Sequence, residues 1–154
     1  HLIHAFRHYS APTGRMQEFK FRGKPVRLNL VKNPAGFNEN INLLTQRKEP
    51  FDFFIGLNDK AADGKDISWI WDVSFEALER IDAIRYFVCS GVRAEDMALR
   101  LKYAGIPKGK IEAIADYRTA VLKTLLGSGR SAFFLATYTA LWPVEKRLRK
   151  ECRS

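Results

Sequence analysis

Residues 51–57, FDFFIGL, form an almost continuous apolar run. A strand with apolar residues at consecutive positions is typical of a parallel sheet that is covered on both faces. The run ends at Leu57, and the polar stretch from Asn58 to Asp66 follows it directly. The run therefore predicts an interior strand that leads into an exposed loop.

The residues before this strand predict a β-hairpin and then a helix. Two alternating runs, Glu18–Phe21 and Val26–Val31, flank a turn at residues 22–25 that contains glycine and proline. Asn33 and Pro34 are the residue types expected at a helix N-cap and at the first helical position. The apolar side chains of this helix fall on one face: Phe37, Ile41 and Leu44.

The residues after the strand repeat a strand–helix pattern. Further strands, each followed by a helix, are predicted at residues 83–89, 110–115 and 131–136. Pro143 favours a start of the last helix at Trp142 over a start at Thr139, because proline has no backbone N–H to donate. The predicted fold class is α/β, a Rossmann-like and mainly parallel sheet with helices on both faces, preceded by a β-hairpin.

Composition narrows the classes of function. No apolar run approaches the roughly 18 to 20 residues that a membrane span needs, and the two cysteines form neither a disulfide framework nor a metal-binding spacing. All three histidines lie within the first eight residues, so a self-contained Ser-His or Cys-His hydrolase is not expected. The net charge of +9 leaves nucleic acid, acidic phospholipid and a phosphorylated substrate open as partners.

Ligands of parallel sheets bind beyond the carboxyl ends of the strands, so the loops there are candidate sites. After the hairpin, Lys32 and Asn33 precede a helix N-terminus, where backbone N–H groups and a lysine together favour an anion. The alternative is that Asn33 only caps the helix and Lys32 is solvated. The glycine-rich stretch 126–131 lacks the Gly-Lys-Ser/Thr ending of a phosphate loop and is interpreted as a turn between a helix and a strand.

The loop after residues 51–57 is the most informative candidate site. It carries four aspartates within fifteen residues and two tryptophans beside them. Such a loop could bind a divalent cation, orient a histidine of a partner or position an amine, although the spacing of an EF-hand is absent. The alternative is a turn at Asp63-Gly64, helix caps and core tryptophans. The polar residues in question are Asn58, Asp59, Asp63, Asp66 and Asp72.

Four segments carry a resemblance to a known family: NLVKNPAGFNENI (29–41), LNDKAADGKDISWIWDVSFE (57–76), SGVRAEDMALRLKYAG (90–105) and TYTAL (137–141). They resemble the C-terminal domain of the Mur-ligase-like subunit of lipid II isoglutaminyl synthase, and the likeness runs from Gly14 to Ala140. The resemblance implies an ATP- and Mg²⁺-dependent amidation in which a glutamine amidotransferase subunit supplies ammonia. The D-glutamate of the lipid II stem peptide would become D-isoglutamine.

The resemblance also implies roles for individual residues. Asp66 would complete the Cys-His pair of the amidotransferase partner as a catalytic carboxylate, while Lys32 and Asn33 would contact an anion near the acyl phosphate. Gly14 and Arg15 would form an interdomain hinge, and no metal site is expected in this chain. The residues expected to shape the loop and the partner interface are Asn58, Asp59 and Asp63.

The sequence departs from the family pattern because it contains neither the nucleotide-binding phosphate loop nor the cysteine-ligated zinc insertion. The chain alone is therefore expected neither to bind ATP tightly nor to amidate. Residues 1–14 are interpreted as a linker remnant, 15–150 as the domain and 151–154 as a tail. We expect a bacterial, cytoplasmic protein that acts at the inner face of the membrane. The alternative is a non-catalytic basic α/β module for nucleic acid or acidic lipid; nucleic acid is not expected, because four aspartates occupy the ligand-bearing edge.

Overall fold

The computed structural model describes residues 16–152. In this range the strands and α-helices are β1 Gln17–Phe21, β2 Lys24–Leu30, α1 Pro34–Thr45, β3 Phe51–Gly56, β4 Ile84–Ser90, α2 Ala94–Tyr103, β5 Ile111–Ala113, α3 Tyr117–Leu125, β6 Ser131–Ala136 and α4 Tyr138–Glu151. Short 3-10 helices occupy Ser68–Asp72, Phe75–Arg80 and Lys108–Lys110.

The strands form one sheet in the order β1-β2-β6-β3-β4-β5. The hairpin β1–β2 is antiparallel, and every other neighbouring pair is parallel. The predicted α/β sheet with its leading hairpin is therefore confirmed. Parallel strands put their carboxyl ends at one edge, so the loops that leave β2, β6, β3 and β4 lie side by side.

The strand β3 is buried on both faces, as its composition predicts. Phe53 and Ile55 pack under α1 and α2, whereas Phe54 packs under α3 and α4. Phe53 is in register with Phe87 of β4 and Phe133 of β6, and the Phe53 ring is 5.8 Å and 6.2 Å from theirs. Each fully buried phenylalanine stabilises the fold by about 1.5 to 3 kcal/mol relative to an exposed one. Because β3 places such side chains on both of its faces, it lies at the centre of both core layers.

Asp52 is the exception within this apolar strand, and the amino-terminal edge of the sheet is built around it. Its Oδ2 accepts hydrogen bonds from Lys24 Nζ at 3.1 Å and from the Gly129 backbone at 2.9 Å. A Cβ at Gly129 would lie 2.7 Å from that oxygen, which explains the glycine. The glycine-rich stretch is thus the predicted turn, and its close packing on a buried carboxylate is the physical reason for its composition.

The last helix differs from the sequence prediction. It begins at Tyr138, and Pro143 lies inside it, so the predicted start at Trp142 is wrong. The helix continues to Glu151, beyond the domain end expected at residue 150, and Cys152 packs in the core. Among residues 16–152 no helix is long and apolar enough to cross a bilayer.

Candidate functional site

Asn58 joins four segments at the carboxyl edge of the sheet. Its side chain is buried and donates from Nδ2 to Tyr117 Oη and to Thr139 Oγ1, both at 2.9 Å. Its backbone N–H donates to Thr137 Oγ1 at 3.0 Å, and its Oδ1 accepts from the Val92 backbone at 2.8 Å. A buried amide with all these partners holds the start of the aspartate loop in one position.

Gly91 allows this close packing. Its φ of +92° lies in the left-handed region, and a Cβ there would be 2.6 Å from Leu57 O and 2.7 Å from Asn58 Oδ1. Only glycine combines that backbone conformation with that approach. The connection after β4 therefore lies directly against the connection after β3.

Asp63 caps helix α4 across a long stretch of sequence. Its Oδ1 accepts from the Thr139 backbone at 2.7 Å, and its Oδ2 accepts from the Thr139 hydroxyl. The same carboxylate accepts from the Lys60 backbone at 3.1 Å and so closes a turn within its own loop. A carboxylate at a helix N-terminus satisfies free N–H groups and complements the helix dipole. Asp63 thereby fastens the loop to α4.

Asp59 is occupied by an ion pair. Its Oδ2 accepts a hydrogen bond from Arg93 Nε at 2.7 Å and also lies 2.7 Å from Arg93 Nη2. The hydrogen bond that Arg93 donates to Asp59 is the main reason that the pKa of Arg93 lies above its ordinary value. Arg93 also lies 3.6 Å from Asp96 in the first turn of α2. Asp59 therefore ties the loop to the start of α2.

Asp66 differs from Asp59 and Asp63 because it is exposed to solvent. Its Oδ1 accepts from the Ser68 backbone at 2.9 Å, and Ser68 is its only hydrogen-bond partner within residues 16–152. Hydrogen bonding from the Ser68 backbone, and then from its side chain, lowers the pKa of Asp66. The site thus presents an oriented carboxylate that is ionised at neutral pH.

The buried Arg100 supports the segment that follows Asp66. It donates to Ile70 O at 3.0 Å and to Val73 O at 2.7 Å, and it pairs with Glu76 at 2.8 Å. The two carbonyls flank the end of the 3-10 helix Ser68–Asp72. Arg100 was not singled out from the sequence. The signal that could have identified it is its position three residues after the core residue Met97, which places a charge on an apolar helical face.

The two tryptophans of the loop have different environments. Trp69 is partly buried and its ring lies 6.2 Å from that of Phe37 in α1. Trp71 is 49% exposed and packs edge-on against Tyr103 of α2, with Arg100 over its face. The alternative of core tryptophans therefore fits Trp69, which packs against the core, but not Trp71.

Lys32 and Asn33 reach the same edge of the sheet but belong to a separate part of it. Asn33 Oδ1 accepts from the Gly36 backbone at 2.9 Å, which confirms its role as the cap of α1. Lys32 is exposed beside this helix N-terminus. Strand β6 separates β2 from β3, so these residues are not part of the Asn58 network. Their contact with an anion stays a prediction.

Several residues of the network were not singled out from the sequence: Arg93, Tyr117, Thr137 and Thr139. Each follows the carboxyl end of a strand, at the edge where polar side chains gather. That position is the signal that could have identified them. Gly14 and Arg15, the expected hinge, lie outside the described residues. Within residues 16–152 no three His, Cys, Asp or Glu side chains come together as a metal site would require.

Comparison with known proteins adds a family and a fold. The family model described as MurT ligase C-terminal matches residues 30–141. The chain is 37% identical over 149 residues to the lipid II isoglutaminyl synthase (glutamine-hydrolyzing) subunit MurT of Staphylococcus aureus strain COL, covering 97% of this chain and 33% of the relative. The same subunit of Streptococcus pneumoniae strain ATCC BAA-255 / R6 is 38% identical over 129 residues, covering 83% of this chain and 28% of the relative.

Among solved structures, the folylpolyglutamate synthase of Mycobacterium tuberculosis complexed with ADP superposes with a TM-score of 0.60. The match covers 93% of this chain and 34% of that chain, at 16% identity, and it shows a shared fold. This chain spans about a third of the length of the curated relatives it matches.

Proposed function

The chain belongs to the MurT ligase C-terminal family, and we propose that it is the C-terminal domain of an amidating ligase subunit in peptidoglycan synthesis. With a glutamine amidotransferase partner, this subunit converts the D-glutamate of the lipid II stem peptide to D-isoglutamine at the inner face of the bacterial membrane. The name of the relatives, glutamine-hydrolyzing, supports glutamine as the source of ammonia. The family match does not favour the alternative of a nucleic-acid or lipid module.

ATP supplies the activation of the D-glutamate carboxylate as an acyl phosphate, which turns a poor leaving group into a good one. The ADP complex of the solved relative supports nucleotide binding in proteins of this fold. We propose that ATP and Mg²⁺ bind mainly outside this chain. Lys32 and the N-terminus of α1 would contact an anionic group of the activated substrate, since both favour negative charge.

Asp66 is the residue of this chain that we propose to take part in glutamine hydrolysis. It would accept a hydrogen bond from the partner's catalytic histidine, hold that ring in the useful tautomer and stabilise its protonated form. The observation that carries the proposal is the contrast within the loop. Asp59 and Asp63 are engaged by Arg93 and Thr139, whereas the Asp66 carboxylate is exposed, oriented by Ser68 and ionised.

The test is Asp66→Asn in the complete subunit assembled with its amidotransferase. Because asparagine cannot stabilise the imidazolium, we expect glutamine hydrolysis to fall on the order of 10⁴-fold, while the complex elutes unchanged on size exclusion. Free ammonium should restore amidation, since it bypasses hydrolysis. Asp72→Asn, an exposed aspartate nearby, is the matched control. Undiminished hydrolysis in Asp66→Asn would remove Asp66 from the mechanism.

A further inference from the structure

A cationic groove opens at the amino-terminal edge of the sheet, opposite the aspartate loop. It has a volume of about 510 Å³, and four cationic side chains line it together with one carboxylate, Glu49. The cations come from three separate segments: β2, the connection between α1 and β3, and the turn before β6. They are Arg27, Arg47, Lys48 and Arg130.

Arg47 lines the groove, and its partly buried side chain is held in one position. Its Nη1 donates to Ser131 Oγ at 3.0 Å, and its guanidinium lies 5.7 Å and 5.6 Å from the ring centres of Phe51 and Phe133. Two aromatic faces and a hydroxyl restrict its rotamers, so little entropy remains to be lost when an anion binds.

The backbone brings Arg27 and Arg130 to the same place. Arg27 is in register with Phe133, so it projects from the sheet face on which Arg47 stacks. Arg130 donates its backbone N–H to Pro50 O at 2.7 Å and directly precedes Ser131, the partner of Arg47. Burial, and then the charge of Arg27, lower the pKa of Arg47. The like charges are therefore close enough to repel each other.

The carboxylates nearby do not neutralise the groove. Glu18 lies 3.6 Å from Arg27 and Glu49 lies 3.8 Å from Arg130, and the latter two side chains are about three-quarters exposed. Ion pairs of this length and exposure are weak. Four cations thus face two loosely held carboxylates, and an anion from outside would relieve the repulsion.

The end of helix α1 explains only part of this arrangement. Cations are favoured just beyond a helix C-terminus, which accounts for Arg47 and Lys48. Arg27 lies inside β2, and Arg130 lies five residues beyond the end of α3, so neither residue stands directly after a helix.

We infer that this groove binds a phosphate or diphosphate group. Arg47 is the fixed contact, and Arg27 and Arg130 contact the group from either side. Guanidinium groups suit this ligand because their paired N–H donors match two phosphate oxygens. The inference is independent of the proposed amidation, since it uses the opposite edge of the sheet. The phosphate could belong to a free diphosphate or to the headgroup of an anionic lipid.

The experiment titrates the chain with inorganic pyrophosphate by calorimetry and, separately, with phosphatidylglycerol and phosphatidylcholine vesicles by sedimentation. We expect saturable binding of pyrophosphate, or of phosphatidylglycerol vesicles over phosphatidylcholine, that weakens about tenfold in Arg27→Gln and in Arg130→Gln. Both side chains are partly or largely exposed, so these variants should fold. Arg118→Gln, which removes an exposed charge on α3, is the control.

The two ligands separate the two sources of phosphate. Pyrophosphate binding indicates a free diphosphate, and binding only to phosphatidylglycerol vesicles indicates a headgroup. Arg47→Lys should also weaken binding although it keeps the charge, because lysine loses the paired donors. Absence of binding to both ligands, or equal losses in Arg118→Gln and the groove variants, would overturn the inference.

Discussion

The first three aspartates after β3 make three different kinds of contact. Asp59 pairs with Arg93, Asp63 caps α4 through Thr139, and Asp66 faces solvent with Ser68 as its support. Two of the three carboxylates therefore hold the loop, and the third is available to another molecule. A loop that is fastened at two points can present one side chain in a defined orientation, which catalysis between subunits requires.

Under the proposed function Lys32 serves a different step from Asp66, so its replacement should affect the two reaction rates differently. We expect Lys32→Ala in the complete subunit to lower amidation about tenfold or more, since one charge-assisted contact is lost. Glutamine hydrolysis should change less, and added ammonium should not restore amidation. Both rates are measured on the same preparation, with the exposed Lys150→Ala as the control. Equal losses of hydrolysis and amidation would assign Lys32 a structural role.

Helix α4 shows how an element can contain a residue that its local sequence disfavours. Pro143 cannot donate to the carbonyl four residues before it, which costs the helix a bond in its second turn. The first turn is held from outside, because Asp63 binds the Thr139 backbone and hydroxyl and Thr137 accepts from the Asn58 backbone. These tertiary contacts favour the early start at Tyr138 despite the proline.

The elements that the local sequence alone could predict are those whose own residues determine their structure. The apolar run of β3, the hairpin turn and the Asn33 cap of α1 are of this kind, and all three are confirmed. The start of α4 and the contacts of the aspartate loop depend on partners far along the chain. Asp59 meets Arg93 34 residues later, and Asp63 meets Thr139 76 residues later. No local pattern contains those pairings.

Besides its pairing with β6, the hairpin is attached to the rest of the sheet by a buried ion pair, and loss of this ion pair should be costly. Lys24 Nζ contacts Asp52 Oδ2, Leu125 O and Gly127 O, so Lys24→Met leaves a buried carboxylate without its cation. We expect a loss of about 3 kcal/mol in the free energy of unfolding, measured by urea denaturation. Lys20→Met on the exposed side of the same hairpin should change it by less than about 0.5 kcal/mol. Similar small losses in both variants would mean that the pair contributes little.

At the scale of the whole molecule, one sheet separates two core layers, and each layer contains one free thiol. Cys89 lies in the layer under α1 and α2, and Cys152 lies beside the end of α4 in the other. Burial raises the pKa of the Cys89 thiol. Burial, and then the charge of Glu151, raise the pKa of Cys152 to about 11. Both thiols are thus protonated and unreactive in the folded chain at neutral pH.

Thiol alkylation should therefore report on opening of the molecule. With iodoacetamide at neutral to mildly alkaline pH, we expect Cys152 to react first, through fraying of the last turn of α4, and Cys89 to react only with global unfolding. The variant Cys152→Ser isolates the rate of Cys89. Since folding raises both pKa values, their contribution to stability is present at neutral pH and decreases as pH rises from about 9 towards 11. A Cys89 that reacts in the native state as fast as in urea would contradict this assignment.

The central place of β6 in the sheet has a consequence for synthesis on the ribosome. β6 pairs with both β2 and β3, yet among the six strands of this sheet it is made last, about a hundred residues after β2. Until it emerges, the hairpin has no parallel neighbour, and β3 exposes a row of unpaired backbone groups. The sheet is completed only when residues 131–136 have been made, so a chain that stops before residue 131 leaves two unjoined strand groups with open edges, which is a state prone to aggregation.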